Sequence, residues 1–238
     1  MKKMKVMKSG MLALAAAMTV GGMTATGVAQ AGTSATVSAA NMYLWRGTNL
    51  TKDGAQVAGS LDYAHDSGLY VGAWTTTETG GTETDLYAGF GGSVGKFSYD
   101  ISYWKYLYPE DCSGTPSTCD LGDNDLSEYA VSLGFEPVTF TYYANAESGK
   151  PDNNYMTLDV ALGKFNIQYG VWDNEVTASD PTPNDYSHVT VSYAATDELS
   201  FAISKASNDG GYDNNTSSAF GVEEDPLFQV MYSKTFDL

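Results

Sequence analysis

Five acidic side chains sit at alternate positions within segments that otherwise carry bulky apolar residues: Asp62, Asp85, Asp100, Glu128 and Asp159. Asn145, Asn166, Gln168, Thr190 and Ser192 share those polar rows. Carboxylates that converge on a narrow, low-dielectric passage attract cations and repel anions, because the walls focus their field. The competing reading pairs some of them with Arg46, Lys105 or Lys205 in a closed interior. For nucleophilic catalysis the chain offers two histidines, His65 and His188. His65 falls in a turn, a poor place for a positioned base. His188, with Asp185 nearby, is the candidate hydrolase base, but its neighbour Ser187 points to the opposite face of a strand and cannot serve it. Cys112 and Cys119, without histidine neighbours, make a poor zinc site and read as a disulfide closing a small loop. Asp120, Asp123 and Asp125 form a weak Ca²⁺ candidate, since the cluster lacks the EF-hand glycine at its sixth position. No motif calls for a cofactor.

The elements that position these residues are strands. From Tyr155 to Asn174 the chain sets Met156, Leu158, Val160 and Leu162 in one apolar row, then Phe165, Ile167, Tyr169 and Val171 in another. Polar or small residues alternate with them, and Gly163-Lys164 lies between the two runs, a hairpin signature. The same pattern predicts twelve strands, near 33–45, 55–65, 68–77, 83–92, 96–107, 126–136, 138–146, 154–163, 164–173, 186–195, 198–207 and 226–238. Connections after even-numbered strands are short, and those after odd-numbered strands are mostly long and polar. An even number of strands of about ten residues, with turns at one end and loops at the other, is the pattern of an outer-membrane barrel. The expected fold is all-β: a transmembrane antiparallel up-and-down β-barrel of about 12 strands. Pairing of the first and last strands would close it.

The N-terminus carries Lys2, Lys3, Lys5 and Lys8, then an apolar run and Ala29-Gln30-Ala31. This predicts a signal peptide over 1–31, cleaved after Ala31, and a barrel domain over 32–238. Losing those four lysines lowers the formal net charge of the chain from −17 to −21. Such acidity argues against nucleic acid as a partner. Nineteen of the 29 acidic residues, Glu83 among them, fall in the predicted long connections. There they would be solvated, or bridged by divalent cations to lipopolysaccharide. Trp45, Tyr63, Tyr70, Trp74, Tyr87, Tyr106 and Tyr108 lie near strand ends, where aromatic girdles meet the membrane interfaces. Trp104, Tyr143, Tyr155 and Trp172 fall instead on the inner rows.

From Tyr43-Leu44-Trp45-Arg46-Gly47 onward the chain resembles the TorF-type porins of Gram-negative bacteria. The likeness continues through Gly68-Leu69-Tyr70-Val71-Gly72-Ala73-Trp74, Thr84-Asp85-Leu86-Tyr87-Ala88-Gly89-Phe90, Phe97 to Asp100, and Tyr106-Leu107-Tyr108-Pro109. Phe90 stands where that pattern has Tyr, and Leu44-Trp45 replaces the usual pair before Arg-Gly. The resemblance implies a small outer-membrane barrel with a channel function. The C-terminal strand, ending Phe236-Asp237-Leu238, resembles those read by the barrel assembly machinery. The expectation is a passive, cation-favouring channel for small hydrophilic solutes or ions. A structural or adhesive barrel with acidic loops is the alternative, with a His188 hydrolase behind it.

Overall fold

The computed structural model describes residues 31–52, 54–79, 81–108, 126–147, 153–174, 185–208, 222 and 225–238. Twelve of its strands form one closed antiparallel barrel: β1 (Gly32–Ala40), β4 (Gln56–Ala64), β5 (Leu69–Glu78), β6 (Gly81–Val94), β7 (Phe97–Leu107), β8 (Leu126–Phe135), β9 (Val138–Asn145), β10 (Asn153–Leu162), β11 (Phe165–Asn174), β12 (Tyr186–Ala194), β13 (Leu199–Asn208) and β14 (Leu227–Asp237). Each strand pairs with its neighbours in sequence, and β1 pairs with both β4 and β14, which removes the sheet edges. Two further strands, β2 (Leu44–Trp45) and β3 (Thr48–Asn49), form a separate small hairpin.

The turns follow from glycine. Leu162 pairs with Phe165 across Gly163-Lys164, and Val94 with Phe97 across Gly95-Lys96. Gly95 and Gly163 each hold φ +64, at the first central position, where a type II′ hairpin turn requires glycine. The backbone twist of that turn matches the flanking strands. These turns gather at one end of the barrel, together with Ala31 and Leu238. The strand ends that the longer connections join lie at the other end, where β5 and β6 are separated by two residues alone.

The usual distribution of polarity is inverted. Among the described residues, thirty large apolar side chains are exposed, including Leu61, Ile101, Leu133, Leu158, Ile167 and Phe228. Twenty-one buried residues are polar or charged, against seventeen buried hydrophobic ones. Water-soluble monomers rarely expose one continuous apolar surface. Here it runs around the wall, because period-2 alternation points every second residue outward.

The first strand differs from expectation. It ends at Ala40, five residues before the predicted 45. Asn41 caps the break, its side chain accepting from Val230 N at 2.7 Å and donating to Phe228 O at 2.9 Å. The chain then turns into the barrel.

Candidate functional site: a hairpin in the loop-end mouth

The hairpin formed by β2 and β3 enters from the loop end and lies across the lumen. Its two-residue turn is Arg46-Gly47, with φ +46 and +85, the pair of positive values a type I′ turn demands. An arginine in the left-handed region costs roughly 1–2 kcal/mol, so its side chain must compensate. Glycine is required beside it for space as well. A Cβ on Gly47 would stand 2.6 Å from His188 Cβ.

Anchors from different walls hold the hairpin. Tyr43 donates its hydroxyl to Glu83 on β6 at 2.8 Å, and Gln229 on β14 donates to Met42 O at 2.9 Å. Tyr186 on β12 donates to Arg46 O at 2.9 Å, and Thr79 N donates to Leu50 O at 2.8 Å. Leu44 packs against Ala202 and Leu227, where the wall side chains leave room.

Arg46 makes the densest contacts. Its guanidinium donates to both carboxylate oxygens of Glu128, at 2.9 and 2.5 Å, in a bidentate pair. The two side chains are only 1% and 11% exposed. Tyr106 donates to Glu128 Oε2 at 2.9 Å, which fixes the carboxylate from behind. Four rings surround the cation at 4.4–5.0 Å: Trp45, Tyr143, Tyr155 and Trp172. That is cation–π geometry on several faces at once. Arg46 Nε is buried without a hydrogen-bond partner, a penalty of about 1–3 kcal/mol.

The interior has two unlike walls. From β5 to β11 it is aromatic: Tyr87 stacks on Trp104 at 4.4 Å, and Tyr106, Tyr143 and Tyr155 continue the cluster. Strand glycines make niches for these rings. Gly72 pairs with Tyr87 and Gly89 with Tyr70, and a Cβ at either glycine would come within 2.4 Å of the ring. From β12 round to β4 many of the inner residues are small or hydroxylic, such as Thr190, Ala202, Ser204 and Ala58, with a Thr190–Ser204 bond of 2.7 Å.

The acidic rows read from the sequence turn inward, and each member is engaged differently. Asp159 is buried and accepts from Thr157, Asn166 and Gln168 at 2.9–3.0 Å, which joins three predicted residues in one network. Glu128 holds Arg46. Asp62 accepts from Tyr87 and from Ser60, and Asp100 accepts from Tyr70 at 2.8 Å. Asn145, at the loop end of β9, accepts from Glu147 N at 2.8 Å. Asp85 is buried with Oδ1 unpartnered. A small pocket beside the hairpin is lined by Trp45, Glu83, Tyr106, Glu128 and Trp172.

Several expectations change. Glu83 is not a loop residue: it lies in β6, 2% exposed, holding Tyr43. Of the expected girdle, Tyr63 faces outward, but Trp45, Tyr87 and Tyr106 are buried inside. Tyr70 and Trp74 also pack on the inner cluster, with Tyr70 bonded to Asp100 and Trp74 against Tyr43. Of the cations offered as partners, Arg46 takes Glu128. Lys105 lies 3.7 Å from Glu147 at the rim, and Lys205 is exposed on the outer face. His188 is buried, with its ring nitrogens at 2.7 Å from Tyr155 and 3.0 Å from Thr190. Gly47 covers it. Cys112, Cys119, Asp120, Asp123 and Asp125, like residues 1–30 of the predicted leader 1–31, fall outside the described residues.

Three comparisons bear on this architecture. The profile of a family described as "Bacterial protein of unknown function (Gcw_chp)" matches residues 24–236. No curated protein matches. Among solved structures, a KdgM porin superposes with a TM-score of 0.50 at 8% identity, covering 86% of this chain and 99% of that one. A structure described as "Unveiling the Mechanism Behind the in-meso Crystallization of Membrane Proteins" gives 0.54 at 9% identity, covering 86% and 83%. At these identities the likeness is one of fold.

Proposed function

The chain belongs to the Gcw_chp family of bacterial proteins of unknown function, and on that premise we propose that it is a porin-like channel of the Gram-negative outer membrane. One observation carries the reading: a closed barrel that is apolar outside and polar inside. A bilayer admits strands only when the wall has no open edge and its outer band is apolar, and in this barrel each strand pairs on both sides and large apolar side chains face out. The fold of the KdgM porin and the resemblance to TorF-type porins support the same class.

The interior charge gives the selectivity. Asp62, Glu83, Asp85, Asp100, Glu128 and Asp159 face inward, and Arg46 is the one buried lysine or arginine among the described residues. Carboxylates outnumber the guanidinium inside, and those that are ionised favour cations in a confined, low-dielectric passage. Cargo is small, hydrophilic solutes or ions, because the hairpin and the aromatic wall narrow the bore. Acidic residues in the long connections would face lipopolysaccharide, bridged by divalent cations.

The test is single-channel conductance of the refolded mature protein in planar bilayers under a salt gradient. Discrete steps with a cation-selective reversal potential are expected, with selectivity reduced in Asp85→Asn and Asp159→Asn. A folded, inserted barrel that stays silent overturns the reading.

A further inference from the structure

Most of the box around Arg46 does not belong to the hairpin. Glu128 is on β8, Tyr106 on β7, Tyr143 on β9, Tyr155 on β10 and Trp172 on β11. All five sit on hydrogen-bonded barrel strands, which hold a constellation more rigidly than loops do. Of the four rings over the guanidinium, only Trp45 travels with Arg46. Remove the hairpin, and the wall still presents an oriented carboxylate flanked by three aromatic rings. A planar cation is recognised by that combination, through a bidentate pair and ring faces together.

The present occupant fits this site imperfectly. Arg46 reaches the box from a type I′ turn that holds it at φ +46, and its Nε is left unpartnered. Both penalties come from the tether. A free guanidinium-type cation carries no backbone to strain and can turn its third edge toward water.

We propose that the Glu128–Tyr143–Tyr155–Trp172 box is a binding site for guanidinium-bearing or similar organic cations, and that Arg46 occupies it in cis. A cationic solute arriving from the loop end competes with Arg46, and its binding releases the hairpin tip from the wall. This deepens the channel reading and rests on it for the meaning of the release. Binding itself requires no conduction.

The test is equilibrium titration of the refolded, full mature barrel with methylguanidinium, read by tryptophan fluorescence, since Trp45 and Trp172 line the box. Folding is verified first by heat-modifiable gel mobility. Arg46→Ala should bind with an affinity at least about tenfold above the unaltered protein, because it removes the competing occupant. Arg46→Ala/Glu128→Gln should lose that binding. A folded Arg46→Ala barrel with no saturable response, or a double variant that binds equally well, overturns the proposal. Should Arg46→Ala fail to fold, the unaltered protein must itself saturate at higher concentration and Glu128→Gln must not. The absence of that difference is equally decisive against the site. Binding in a barrel that is silent in bilayers would sink the channel reading and leave the site intact; conduction without binding would do the reverse.

Discussion

At the scale of single residues, space decides more than charge. Gly170 pairs with His188, and a Cβ there would lie 2.1 Å from His188 Nε2 and 2.6 Å from the Tyr155 hydroxyl. Gly170→Ala should therefore destabilise the barrel by roughly 1–3 kcal/mol, the cost of overpacking a filled site. Gly163→Ala meets nothing within 4 Å but must hold φ +64, so its cost should be backbone strain alone, about 1–2 kcal/mol. Urea unfolding of both variants in lipid or detergent checks the order. Glu128→Gln keeps shape and removes charge. It should weaken the anchorage of Arg46 by about 1.5–3 kcal/mol, seen as noisier single-channel currents with the barrel still folded.

At the scale of elements, wall and hairpin are separable. The ladder from β4 through β14 to β1 closes without β2 or β3. Replacing residues 43–50 with a short Gly-Ser linker should therefore leave the folded barrel intact and raise its conductance. An unchanged conductance would mean that the hairpin does not limit flow. The aromatic strands β5–β11 narrow one side, while the small residues of β12–β14, β1 and β4 leave the space that Leu44 enters.

At the scale of the whole molecule, the outer surface sets the environment. Leu158 lies mid-strand on β10, exposed between Phe140 and Tyr169. Leu158→Arg should cost roughly 2–4 kcal/mol in a bilayer, as a charge on the lipid face near the midplane does. Thr157→Ser, one residue away and inward, should be nearly neutral. Refolding into vesicles measures both, and equal costs would contradict the assigned outer face. Closure is equally global: β1 must pair with β14 along Ser34 to Ala40, and the last residue still donates, from Leu238 N to Thr33 O.

The sequence by itself determined the wall. Alternation assigned inner and outer rows correctly along β10 and β11, and Gly163-Lys164 marked the turn that fixes their register, because side-chain direction in a strand is local geometry. It also turned Asp62, Asp85, Asp100, Glu128 and Asp159 away from the apolar face. What fills the barrel was legible only in part: alternation set Trp104, Tyr143, Tyr155 and Trp172 on the inner rows, but nothing local announced the hairpin. Residues 42–45, Met-Tyr-Leu-Trp, are a continuous apolar run, so period alone cannot say whether they continue the wall or fold inside it. The same limit sent Trp45, Tyr87 and Tyr106 to a girdle, since a ring near a strand end suits either side until glycine niches on neighbouring strands are known. Only closure of the sheet placed β6, β8, β10, β11 and β12 around one space, and only then could Arg46 meet Glu128, 82 residues away in the chain.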